Sequence, residues 1–206
     1  HLPLDVRALG LDLVAFPGHK GLLGPLGTGG LYMSAAIAPR IDPLREGGTG
    51  SRSELDTQPQ ELPDRFEPGS HNAVGLAGLG AGVDWVLERT VESLHTHGLA
   101  LSRAFLEALD GSAVRVLGPQ TANERVPVFA LTVGGLSPHD AAAILESEFG
   151  LLTRAGLHCA PLAHRTFGTL PDGALRLSFG AFNTPDHARA AAAALREIAA
   201  EAGAPR

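Results

Sequence analysis

A chain of 206 residues with 44% apolar side chains is long enough to bury one or two cores, and its net charge of −6 with no basic run argues against nucleic-acid binding. No run of about 18 apolar residues is present, so no membrane span is expected, and the first residues lack a charged-then-apolar leader pattern. The one cysteine, Cys159, excludes an internal disulfide framework and fits a reducing cytoplasm.

Leu11 to Phe16 reads as a buried strand, and Gly30 to Ser34 as a second short strand after a glycine-rich turn. Residues 41–64 are polar and rich in Gly, Ser, Pro and Glu, which predicts a long loop of the functional or mobile kind. Asn72 can cap a helix to about Thr90, with Val74, Leu76, Leu79, Val83, Val86 and Leu87 as its apolar stripe. A second helical pattern runs from Glu92 to Leu109, weakly interrupted at Gly98. Val114 to Leu117 and Val126 to Val133 read as strands. Ser137 and Pro138 open a helix to about Phe149, as cap and first residue. Leu151 to Thr153 and Ala174 to Phe179 read as strands on either side of Cys159, and Thr184-Pro185 opens an alanine-rich helix to about Glu201. Alternation of helix and strand after about residue 91 describes a small α/β lobe packed against a larger domain. The expected division is therefore 1–90 and 91–206. Gly75, Gly78, Gly80 and Gly82 lie inside a helical stripe rather than between a strand and a helix. They are read as allowing close helix packing, not as a dinucleotide fingerprint.

Lys20 is the chain's single lysine; histidines aside, the other basic residues are all arginine. Lysine, unlike arginine, can lose its proton and attack a carbonyl as an amine. Its place at a strand end before Gly21-Leu22-Leu23-Gly24 favours Schiff-base chemistry over an incidental surface charge. Cys159 sits between Gly156 and Pro161, with Arg154, His158, His164 and Arg165 nearby in sequence, a setting of the kind that activates thiols. His158, Cys159 and His164 make a poor structural zinc set, and no metal is expected.

The segment Asp12 to Tyr32 resembles the Schiff-base lysine region of class V aminotransferase-fold enzymes, which bind pyridoxal phosphate. Arg65-Phe66-Glu67-Pro68-Gly69-Ser70-His71-Asn72 resembles the family's stretch that reaches the cofactor phosphate of the neighbouring subunit. Arg154-Ala155-Gly156-Leu157-His158-Cys159-Ala160-Pro161 resembles the catalytic-cysteine loop of cysteine desulfurases, and Leu175 to Thr184 the family's terminal strand and last-helix start. The resemblance covers nearly the whole chain. It implies the α/β fold of the aspartate aminotransferase-like, pyridoxal-phosphate-dependent transferases, with part of the large domain followed by the small C-terminal domain.

By the same resemblance, Lys20 would form the Schiff base, His19 and Ser70 would hold the cofactor phosphate, and Cys159 would carry persulfide sulfur. Arg176, assisted by Arg154, would bind the substrate carboxylate. Gly47 and Gly48 match a loop near the subunit boundary less specifically. Pro17 stands where the family often has Ser or Thr, so one phosphate contact is lost or supplied elsewhere. The implied partners are a small amino-acid substrate, a second subunit in a homodimer and a sulfur-accepting protein. The family's ring-stacking group, pyridine-nitrogen carboxylate and first phosphate turn precede its lysine. Only nineteen residues precede Lys20, so the chain reads as the C-terminal portion of a longer enzyme. Other readings are a selenocysteine lyase, transaminase or epimerase of the same family, or a non-catalytic fragment serving as an interaction module.

Overall fold

The computed structural model describes residues 1–48 and 51–203, in two units: residues 2–91, and residues from Glu92 onward together with His1. Thr49 and Gly50 of the expected 41–64 loop, and the last three residues of the expected second domain, lie outside the described residues.

In the first unit, β1 (Leu13–Pro17) and β2 (Gly29–Met33) form an antiparallel hairpin in which Phe16 faces Gly30. Only a residue without a side chain fits opposite the Phe16 ring, because a Cβ on Gly30 would touch it. The expected burial of this strand does not hold: Leu13, Ala15, Phe16 and Pro17 are exposed, and β2 is β1's one ladder partner among the described residues. Helix α1 (Ala73–Arg89) begins at Asn72, whose side chain accepts from the Gly75 N–H at 3.0 Å. Gly78 and Gly82 let α1 approach a loop rather than another helix. A Cβ at Gly82 would strike the Leu22 carbonyl, and one at Gly78 would press on Pro25. Val86 is buried, whereas Val74, Leu76 and Leu87 of the expected stripe face outward.

The described residues of the 41–64 segment hold more order than their composition suggests. Buried Gln58 donates to the Asp64 carbonyl at 2.9 Å and accepts from the Gly47 N–H at 3.3 Å. Buried Arg65, in a short 3-10 turn over Asp64–Phe66, donates to Gln60 Oε1 at 2.9 Å and to the Ile41 carbonyl at 2.8 Å. Two long polar side chains thus do the packing that apolar residues do elsewhere.

The second unit contains all but the first residue of α2 (Val91–Leu109), then β3 (Val114–Leu117), β4 (Val128–Val133), α3 (Pro138–Phe149), β5 (Arg154–Gly156), α4 (Pro161–Phe167), β6 (Ala174–Ser178) and α5 (Pro185–Ala202). Its antiparallel sheet has the order β3-β4-β6-β5. Alternation places Phe129, Leu131, Val133, Leu175 and Leu177 in the core with Leu101, Phe105, Leu145, Leu195 and Ile198 from the helices. Phe105, Phe129 and Phe179 form a trio with ring centroids 4.4, 5.4 and 5.9 Å apart, the first two contacts tilted and the Phe129–Phe179 contact edge-on.

Helix α2 runs unbroken through Gly98, which is buried where a Cβ would meet the Pro127 ring, so that glycine serves contact and not interruption. The strand expected at 151–153 lies later, at 154–156. Gly150 ends α3 in the left-handed conformation, and the Leu151 N–H returns to the Leu145 carbonyl at 2.9 Å, so Leu151 closes the helix instead of extending a strand. Helix α4, between Pro161 at its first position and left-handed Gly168, was not apparent from periodicity because seven residues give only two turns. Helix α5 opens with a reciprocal cap: Thr184 Oγ1 accepts from the His187 N–H and His187 Nδ1 from the Thr184 N–H, both at 3.3 Å. Among the described residues no helix is long and apolar enough to cross a membrane.

Candidate active site

Lys20 follows β1 and is exposed, as is His19. The turn that carries them is tied by backbone bonds. The Gly18 N–H donates to the Thr28 carbonyl and the Gly24 N–H to the Gly18 carbonyl, each at 2.8 Å, while the Leu23 N–H reaches the Lys20 carbonyl at 2.9 Å. Gly18 is buried, and a Cβ there would collide with the Thr28 hydroxyl oxygen. The amine therefore extends from a backbone loop braced by α1 behind it. In the same unit, Ser70 precedes the α1 cap and is exposed; its hydroxyl has no hydrogen-bond partner among the described residues. The adjacent Gly69, at φ 85°, donates its N–H to the Gly48 carbonyl at 2.6 Å, which ties the 47–48 backbone to the Ser70 segment.

In the other unit, β5 and β6 bring Arg154 and Arg176 directly opposite each other on one face of the sheet. Arg176 is half-buried, with its Nε shielded from solvent and unbonded. Among the described residues neither guanidinium has a carboxylate within salt-bridge distance. Two like charges set opposite each other destabilise an empty sheet and favour an anion between them.

Just beyond β5 the chain makes an unusual turn. His158 and Cys159 both have positive φ, 52° and 59°, a conformation non-glycine residues adopt rarely and seldom twice in succession. The Ala160 N–H closes the turn on the Leu157 carbonyl at 2.9 Å. His158 Nε2 lies 3.0 Å from the Arg154 carbonyl and must donate, because that oxygen can only accept. Cys159 is exposed as a free thiol. Partial burial holds the His158 imidazole below its ordinary range. The Arg154 carbonyl opposes that shift, while Arg176, His164 and Arg154 as neighbouring positive groups reinforce it. Buried His164 places its ring 6.0 Å from that of His158 and shares a 2.7 Å hydrogen bond through Nδ1 with Thr169 Oγ1.

Of the residues singled out from sequence, Arg154, Arg176 and Cys159 gather in one unit, and Lys20, His19 and Ser70 belong to the other. Sequence reasoning did not foresee the Arg154–Arg176 register or the paired left-handed residues. The Gly156 to Pro161 bracket was the available signal for an irregular turn, but nothing in the composition identified His158 as its internal donor.

The chain matches the Aminotransferase class-V family over residues 1–190, and it belongs to that family. A probable cysteine desulfurase of Methanothermobacter thermautotrophicus is 35% identical over 211 residues, covering 97% of this chain and 50% of that protein. A cysteine desulfurase of Yersinia pestis is 34% identical over 202 residues, covering 96% of this chain and 48% of that one. In structure, the apo cysteine desulfurase of Thermococcus onnurineus superposes with a TM-score of 0.88 at 32% identity, over 98% of this chain and 50% of that chain. The cysteine desulfurase CsdA of Escherichia coli gives 0.83 at 28% identity, over 98% and 49%. The chain thus has the mixed α/β fold of these enzymes and spans about half the length of the relatives it matches.

Proposed function

We propose that this chain forms the C-terminal part of a pyridoxal-phosphate-dependent cysteine desulfurase, which converts L-cysteine to L-alanine and holds the sulfur as a persulfide on Cys159. The observation that carries the reading is the unneutralised Arg154–Arg176 pair at the base of a loop that exposes the one thiol. An amino-acid carboxylate suits the pair, and a thiol is what sulfur transfer needs in addition. A transaminase or epimerase has no use for an exposed cysteine there.

The available side chains fit the cofactor. Lys20 offers an amine for its aldehyde, and His19 and the unpartnered Ser70 hydroxyl offer donors for its phosphate. When bound, the cofactor supplies an electron-withdrawing ring for chemistry at the substrate α-carbon. Lys20 then moves a proton at that carbon, while Arg176 and Arg154 fix the carboxylate. The Cys159 sulfur attacks the substrate sulfur. A sulfur–sulfur bond forms, the substrate carbon–sulfur bond breaks with its electron pair left on carbon, and that carbon takes a proton to become alanine.

In this reading residues 1–90 belong to the large cofactor-binding domain and residues 91–206 to the small one. Ser70 serves the second subunit's site in a homodimer, and a sulfur-accepting protein relieves Cys159. A reducing cytoplasm keeps the thiol free. The test is Cys159→Ala in the holoenzyme, which should abolish sulfide release from cysteine while cofactor absorbance persists. Undiminished release would exclude the role.

A further inference from the structure

Within the second unit, His158 has a specific geometric relation both to Arg154 and to Cys159. Its ring bridges four residues back to the Arg154 carbonyl at 3.0 Å, and its backbone forms the first half of the left-handed pair whose second half is Cys159. Such a pair has no intrinsic reason to persist in L-residues, because each Cβ crowds its own carbonyl. One backbone bond, from the Ala160 N–H to the Leu157 carbonyl, closes the turn, and α4 begins directly after it with the His164 N–H on the Ala160 carbonyl at 3.1 Å. Among the described residues, the side-chain bond from His158 is the further hydrogen bond that joins the turn to β5.

We infer that His158 is a positioning residue: its Nε2–H bond to the Arg154 carbonyl braces the left-handed turn that presents Cys159, and so links the position of the thiol to the Arg154–Arg176 pair. Arg154 is the shared element. Its carbonyl receives the brace, and its backbone position pairs with Arg176 across the ladder. A carboxylate drawn between the two guanidiniums is thereby registered against the sulfur that must attack the far end of the same substrate. The ring nitrogen that donates to the carbonyl is occupied, so the role of Nε2 is mechanical. The inference rests on the reading of Cys159 as the sulfur-accepting group.

The test compares His158→Ala, which removes the donor, with His158→Gln, whose amide nitrogen reaches about as far as Nε2, in the holoenzyme. His158→Phe keeps ring volume without the donor and replaces the alanine variant if that one fails to fold. The first readout is hydrogen exchange of the Ala160 amide, which does not depend on catalysis. It should accelerate about tenfold or more in His158→Ala and stay near the parent rate in His158→Gln. The second is steady-state desulfuration. In His158→Ala, kcat should fall by about tenfold or more with KM for cysteine nearly unchanged, and His158→Gln should recover to within about threefold of the parent. Unaltered Ala160 exchange in His158→Ala would overturn the brace. A glutamine variant with parent-like exchange but alanine-like kcat would overturn it in favour of proton transfer by the ring. Cys159→Ala separates the two readings: if it still releases sulfide, the role of Cys159 falls, and the exchange measurement alone then judges the brace.

Discussion

Arg154 on β5 and Arg176 on β6 are direct cross-strand partners, two cations on one face of an antiparallel ladder, and among the described residues neither has a carboxylate within salt-bridge distance. A free fold gains nothing from that arrangement. A ligand carboxylate turns the repulsion into attraction, and the shielded Nε of Arg176 adds a donor with no partner among the described residues.

Removing Arg176 should therefore affect function more than stability. In Arg176→Ala, kcat/KM for cysteine should drop by roughly 2–4 kcal/mol of transition-state stabilisation, a factor of about 30 to 1,000, with cofactor retained. In the absence of substrate, Arg154→Ala should leave the unfolding free energy unchanged or raise it by about a few tenths of a kcal/mol at low salt, the gain shrinking as salt increases. A steep loss of stability with unchanged kinetics in either variant would assign that arginine to the fold.

Lys20 should be the residue trapped by reduction. Borohydride treatment of the holoenzyme followed by peptide mapping is expected to place a pyridoxyl group on the peptide containing His19 and Lys20. Lys20→Arg should lose the adduct and turnover, because arginine keeps the charge but offers no nucleophilic amine. An adduct confined to the terminal amine would refute the assignment.

The depressed His158 imidazole gives a signed pH effect. Its folded value lies below the ordinary one of about 6.5, so folding disfavours the charged ring. The associated stability is fully present above that ordinary value and is lost as pH falls through the folded value. An NMR titration of His158 should give a midpoint under about 6.5, and His158→Gln should show a shallower decline of stability between about pH 7 and 5. A midpoint above 6.5 would reverse the sign and require an acidic neighbour, where the ring's charged neighbours are Arg154, Arg176 and His164.

Two glycines on α1 should respond in opposite directions. At Gly82 an added methyl meets the Leu22 carbonyl of the Lys20 loop, so Gly82→Ala should destabilise by about 1–3 kcal/mol and disturb the lysine turn. At Gly80 the space is open, and Gly80→Ala should stabilise the helix by roughly 0.5–1 kcal/mol. Urea denaturation of the two variants decides the matter; equal effects would mean that α1 does not bear on the loop.

Chemical singularity and local periodicity were legible without coordinates. One lysine before a glycine turn and one cysteine between glycine and proline stand out because their reactivity is a property of the residue type. Helices α1, α2, α3 and α5 announced themselves because caps and a 3.6-residue stripe are written within a single segment. Strand register is not written there. Which residue of β6 faces Arg154 depends on hydrogen bonds between segments some twenty residues apart in sequence, and Leu151 was drawn out of its expected strand by the end of α3. Burial of Arg65, Gln58 and His164 likewise depends on partners supplied by other turns and carbonyls, which offset the cost of removing polar groups from water. The left-handed pair at His158 and Cys159 belongs with these: histidine enters that region more readily than most residues, but two such residues in succession persist only where the surrounding bonds outweigh their steric cost. Sequence alone determined which groups can react, because that follows from their chemistry. Tertiary structure alone decided which of them face one another, because that follows from pairing and packing between distant segments.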